Sequence, residues 1–143
     1  MTAPRRGVLL RLVAAVVLLI GPTLIVSAQI RDRDPDWTAP PEYESISNPL
    51  ANRPETAPGG AKVFQHRCAS CHGADGRGTR KAPSLVDPAV QAQTDGALFW
   101  KISRGNAHTG MPAFSFLPEL QRWQLVLHLR ALAARVGTGA THD

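Results

Sequence analysis

A chain of 143 residues with 43% hydrophobic content can bury one modest core and leaves room for short extra segments. Its net charge of +5 comes with no basic stripe interleaved with aromatic residues, which argues against a nucleic-acid partner. With only two cysteines, there is no second pair to complete a structural zinc site.

The N-terminus carries Arg5, Arg6 and Arg11 ahead of an uncharged apolar run from Leu12 to Val26, broken by Gly21-Pro22 and closed by Val26-Ser27-Ala28. A basic flank, an apolar centre and a small-residue exit make residues 1–28 a secretory signal peptide. The rival reading is a membrane anchor over residues 7–28, long enough to cross a bilayer if Arg11 snorkels; Gly21-Pro22 weighs against it. In both cases the positive flank stays in the cytoplasm and the remainder is exported. The expected location is periplasmic or otherwise extracytoplasmic, with the protein soluble after cleavage or held at the membrane by its N-terminal helix.

Residues 29–58 hold Pro35, Pro40, Pro41, Pro49, Pro54 and Pro58, and six of the 11 acids: Asp32, Asp34, Asp36, Glu42, Glu44 and Glu55. Prolines this dense predict an extended acidic linker with polyproline character. Trp37, Tyr43 and Ile46 stand out in it, because large apolar side chains in a polar segment usually touch something, here either the following domain or a partner.

A helical pattern takes over at Pro58-Gly59-Gly60. Gly60, Phe64 and Cys68 recur every four residues, with Val63 beside them, so one helix face leads straight into Cys68-Ala69-Ser70-Cys71-His72. Each thiol of a C-x-x-C-H motif can add across a haem vinyl group, and the histidine is then placed to ligate the iron. Three other readings compete: a zinc site completed by His66 or His108, a dithiol redox centre, and a disulfide closing a very small loop. Export favours covalent haem, since c-type haem is attached outside the cytoplasm.

Gly73-Ala74-Asp75-Gly76-Arg77-Gly78 predicts a loop whose glycines let the backbone pass close to a flat cofactor. Arg77, Arg80 and Lys81 lie beside it. The carbonyl of Pro83, 11 positions after His72, is a candidate acceptor for the second ring nitrogen of that histidine. Thr94-Asp95 predicts a helix start, Leu98, Phe99 and Ile102 its apolar face, and Gly105 its end. In the loop that follows, Met111 sits between Gly110 and Pro112, and the only other methionine is Met1. A thioether in so rigid a turn suits a second axial ligand better than core filling, with His108 as the alternative ligand. Pro118 then opens a long helix to about Val136, with Trp123, Val126, Leu129 and Leu132 at helical spacing and Leu120 and Leu127 beside them. Its stripe is expected to cross the Gly60/Phe64 helix closely, and residues 137–143 form a tail.

From about Gly59 to Leu132 the sequence resembles the small class I, single-haem cytochromes c. The pieces that carry the resemblance are Gly60-x-x-x-Phe64-x-x-x-Cys68, C-A-S-C-H-G, the proline after the haem histidine, L-F-W-K-I-S-R-G, G-M-P-A-F and the terminal W-x-L-V-x-x-L-R-x-L helix. The resemblance implies an all-α domain of three to four helices over residues 59–136 around one covalent haem c. It also implies thioethers at Cys68 and Cys71 and iron ligation by His72 and Met111. His128 departs from the pattern, since family members often have an aromatic residue there.

With both axial positions filled, the implied task is outer-sphere electron transfer, as a carrier or as a haem subunit of a redox complex, and not catalysis. The alternative is a haem enzyme or a gas- or peroxide-binding domain in which the distal ligand is displaced. Residues 57–143 hold 10 basic against 5 acidic residues, which suits docking onto the acidic face of a redox partner protein. The N-terminal segment 7–28 is the expected means of any membrane association.

Overall fold

The computed structural model describes residues 37–138. The expected signal or anchor (1–28), the start of the acidic segment (29–36) and the end of the tail (139–143) lie outside the described residues. Within that range the chain is all-α: six helices, no strand, and one isolated antiparallel bridge between Asn106 and Met111.

Residues 37–56, expected as an extended linker, pack onto the helices. Pro41 starts α1 (Pro41–Glu44) and Pro54 starts a 3-10 turn (Pro54–Thr56). Proline disrupts a helix interior but not its first turn, where no intrahelical N–H is needed; dense prolines therefore permit short helices that each begin on one. Trp37 donates its indole N–H to the Gly105 carbonyl at 2.8 Å, and Tyr43 packs against the core. Asn48 is buried with both ends of its amide used, donating to the Trp123 carbonyl at 3.2 Å and accepting from the Leu50 N–H at 2.9 Å. Leu50 is itself a core residue, whereas Ile46 is exposed.

α2 (Ala57–Arg67) buries Gly60 and Phe64 and passes through Cys68 into the single-turn α3 (Ala69–His72). A second single turn, α4 (Pro88–Gln91), is capped by Asp87, whose carboxylate accepts from the Ala89 N–H at 2.8 Å. α5 (Asp95–Arg104) starts where the Thr94 hydroxyl accepts from the Ala97 N–H at 3.1 Å, and it ends at Gly105 with φ +64°. Its buried face is Gly96, Ala97, Leu98, Phe99 and Ile102. A Cβ at Gly96 would collide with the Tyr43 carbonyl, which is how closely α1 approaches.

α6 (Glu119–Gly137) follows Pro118 and buries Trp123, Leu125, Val126, His128, Leu129 and Leu132. Leu125 and His128 widen the expected stripe because α6 packs against α2 on one side and α5 on another. Leu120, in the first turn, is exposed. The close crossing with α2 is present, and Gly60 faces the Gln124 and Leu125 backbone. Phe64, Leu125 and Val126 are fully buried at this crossing. Burial of each stabilises the fold by about 1.5–3 kcal/mol. Trp123 stacks on Phe99 with centroids 4.0 Å apart, which joins α6 to α5.

Candidate functional site

The C-x-x-C-H motif lies on one helical turn. The Cys68 N–H bonds to the Phe64 carbonyl at 2.8 Å, and the Cys71 and His72 N–H groups bond back to the Cys68 carbonyl at 3.1 and 3.0 Å. Positions i, i+3 and i+4 share a helix face, so the buried Gly60/Phe64 side of α2 fixes where both thiols and the imidazole stand. Cys68 is half-buried and Cys71 exposed. Burial pushes the Cys68 thiol up to about 11, and neighbouring Cys71 adds to the rise.

His72 is buried, and its Nδ1 lies 2.9 Å from the Pro83 carbonyl oxygen. A carbonyl can only accept, so Nδ1 carries the proton and Nε2 keeps the lone pair with which an imidazole ligates a metal. The loop that delivers this carbonyl is held from several sides. The Gly78 N–H donates to the His72 carbonyl at 2.8 Å, the Thr79 hydroxyl to the Cys71 carbonyl at 2.5 Å, and the Leu85 N–H to the Gly76 carbonyl at 2.8 Å. Gly78 has φ +86°, and a Cβ there would lie 2.6 Å from the Ser84 nitrogen. This glycine lets the loop approach its own Pro83–Ser84 backbone, a tighter local reason for it than the expected passage beside a cofactor.

Met111 stands at the base of a second loop. Asn106 and Met111 exchange both backbone hydrogen bonds, at 2.8 and 2.9 Å, and Gly110 turns between them with φ +81°. The buried Asn106 side chain accepts from the His108 and Thr109 N–H groups at 3.0 and 3.3 Å. This Asx-type turn was readable from Asn106 and Gly110 but was not singled out from the sequence. Met111 is half-buried, whereas His108 is exposed at the loop tip. Cys68 and Met111 pack against the same buried cluster, which includes Phe64, Leu98, Leu129 and Leu132. The attachment motif and the Met111 loop are thus mounted on one core.

The donor set fits haem. Among the described residues no group of three or more His, Cys, Asp or Glu converges to hold a metal ion. A macrocycle that brings its own iron asks for less: two thiols for attachment, and an oriented imidazole with a free Nε2.

The basic residues beside the attachment loop are differently placed. Arg77 pairs with Asp75 at 3.4 Å across an exposed contact, while among the described residues Arg80 and Lys81 form no ion pair and are exposed. Arg130 bonds Asp95 at 2.8 Å and the Gln91 and Gln93 carbonyls at 2.7 and 2.6 Å, tying α6 to α4 and to the start of α5.

Comparisons with known proteins agree with this geometry. The family described as cytochrome c oxidase, cbb3-type, subunit III matches residues 55–129, just over half of the chain. A cbb3-type cytochrome c oxidase subunit, CcoP, of Rubrivivax gelatinosus is 40% identical over 52 residues, covering 34% of this chain and 17% of that protein. The chain therefore matches only about one sixth of that relative's length. With the motif, the braced histidine and the helical frame all on the matched stretch, the chain belongs to the cytochrome c oxidase cbb3-type subunit III family, as a c-type cytochrome domain whose cofactor is covalently bound haem c.

Proposed function

We propose that this chain transfers electrons through one haem c attached to Cys68 and Cys71, with His72 and Met111 as the axial ligands of its iron. It does so outside the cytoplasm, as a haem-bearing component of a redox complex of the cbb3 oxidase type. The observation that carries this reading is the 2.9 Å hydrogen bond from His72 Nδ1 to the Pro83 carbonyl. It fixes the tautomer a metal-ligating histidine needs, through a loop built for that purpose. When bound, the haem supplies a one-electron couple whose potential His/Met ligation raises.

The remaining work belongs to the chain. The α2 face aims the two thiols, the Pro83 carbonyl orients the imidazole, and the Asn106–Met111 pairing sets the thioether at the base of its loop. With His72 and Met111 both holding the iron, no open site would remain for oxygen, and the domain would act as a carrier that leaves oxygen chemistry to other parts of the assembly. The partner presents an acidic face to the exposed cations Arg80 and Lys81, and attraction of this kind acts mainly on the association rate. Residues 7–28 hold the domain at the membrane unless they are cleaved.

Met111→Ala tests the ligand assignment. The variant should lose the far-red sulfur-to-ferric-iron band, show a lower reduction potential and bind added cyanide or carbon monoxide. A wild-type spectrum in Met111→Ala would remove Met111 from the iron and turn attention to His108.

A further inference from the structure

Trp37 lies far from the haem motif in sequence, yet its indole N–H donates to the Gly105 carbonyl at 2.8 Å, across 68 residues. Lys101 covers the indole ring, with its ammonium 4.7 Å from the centroid. Gly105 is buried and is the residue at which α5 stops. Its neighbour Asn106 exchanges both backbone hydrogen bonds with Met111. Gly105 also lies against the residue on the other side of Met111: a Cβ there would sit 2.5 Å from the Pro112 carbonyl carbon. The Gly105-Asn106 backbone therefore holds Met111 and the following Pro112, and Trp37 bonds to that backbone.

We propose that Trp37 is a positioning residue for Met111: its hydrogen bond to the Gly105 carbonyl braces the loop and keeps the thioether sulfur from leaving the iron. The inference rests on Met111 being the distal ligand. A buried carbonyl released from its donor must open to water or shift to find a new one. Either movement is passed to Asn106 and Pro112, because the tight contact at Gly105 leaves no slack to absorb it. The residues before α2 thereby serve the site directly, holding the ligand loop as well as covering the core.

The test uses the haem-loaded full chain with Trp37→Phe, which keeps an aromatic ring under Lys101 but deletes the N–H. Arg130→Gln is the control, since it loosens the α4/α5/α6 junction without touching Gly105. Three quantities are measured: the rate at which cyanide displaces the distal ligand of the ferric protein, amide hydrogen exchange at Asn106 and Met111, and the denaturant midpoint. Trp37→Phe should speed cyanide binding and the exchange of both amides by about fivefold, the change an average net hydrogen bond carries. Arg130→Gln should lower the midpoint and leave cyanide binding at the wild-type rate.

The proposal is overturned if Trp37→Phe matches wild type in both cyanide binding and exchange. It is equally overturned if the two variants speed cyanide binding alike for an equal loss of midpoint, since general loosening would then suffice. A wild-type protein that lacks the far-red band and binds cyanide at once would instead defeat the ligand assignment. Exchange at the two amides would still decide whether Trp37 braces the loop.

Discussion

His128 shows how one residue can depart from a family pattern and keep its packing role. Its ring lies tilted on Phe64 with centroids 5.1 Å apart, so an imidazole does the work of the aromatic residue often found there. The substitution leaves a buried Nε2 with no hydrogen-bond partner. Burial pushes its pKa below the ordinary histidine value, and the positive charge of Arg135 pushes in the same direction. A histidine whose folded pKa is depressed stabilises the fold above its unfolded pKa of about 6.5, and that contribution is lost as pH falls through and below this value. His128→Phe should therefore raise the denaturant midpoint at pH 5 more than at pH 7. An equal shift at both values would show that His128 takes up its proton as readily in the folded as in the unfolded state, so that burial does not depress its pKa. The partner of His72 was readable at this same scale because the constraint is local: a histidine, a glycine loop and a proline within 12 residues. The Arg130 contacts were not, since they join segments more than 30 residues apart that no local pattern relates.

Among the elements, the crossing of α2 and α6 decides whether the attachment motif has a platform. Glycine inside a helix is weaker than alanine by about 0.5–1 kcal/mol, so an exposed Gly60 would invite replacement. At Gly60 the sign reverses, because a methyl group would run into the Gln124 carbonyl and the Leu125 nitrogen, which are backbone and cannot swing away. Gly60→Ala should destabilise the protein by about 1–3 kcal/mol in chemical unfolding, the usual range for overpacking. A neutral or stabilised variant would mean that the helices separate easily and that the crossing does not hold the motif in place. The three long helices were legible from periodicity and from their stops, with Thr94 and Gly105 bounding α5 as expected. α1 and the turn at Pro54 were missed because proline density was read as a veto on helix, whereas a proline in the first turn is compatible with one.

Across the described residues, the proline-rich stretch 37–56 and the basic helical part share one core. Tyr43 and Leu50 pack on it, the Thr94 hydroxyl donates to the Glu44 carboxylate at 2.8 Å, and Lys101 covers Trp37. The sequence marked Trp37 and Tyr43 as residues in need of a contact. Their partners were out of reach of periodicity, because a backbone carbonyl at Gly105 and the close approach of the Tyr43 carbonyl to Gly96 leave no trace in side-chain pattern. The proposed site is compact in the sequence: the attachment motif sits in five consecutive residues, and the proposed second ligand is the one methionine after Met1. Both rest on a single central claim, that the polypeptide and one haem are joined through Cys68 and Cys71. The most direct test is the intact mass of the protein isolated from an exporting host, taken after acid-acetone extraction and unfolding. The account predicts a polypeptide heavier by one haem that still stains for haem peroxidase activity on a denaturing gel. In Cys68→Ala/Cys71→Ala the haem should be lost entirely. A full-length, exported wild-type chain at its bare polypeptide mass, with all haem in the extract, would contradict it.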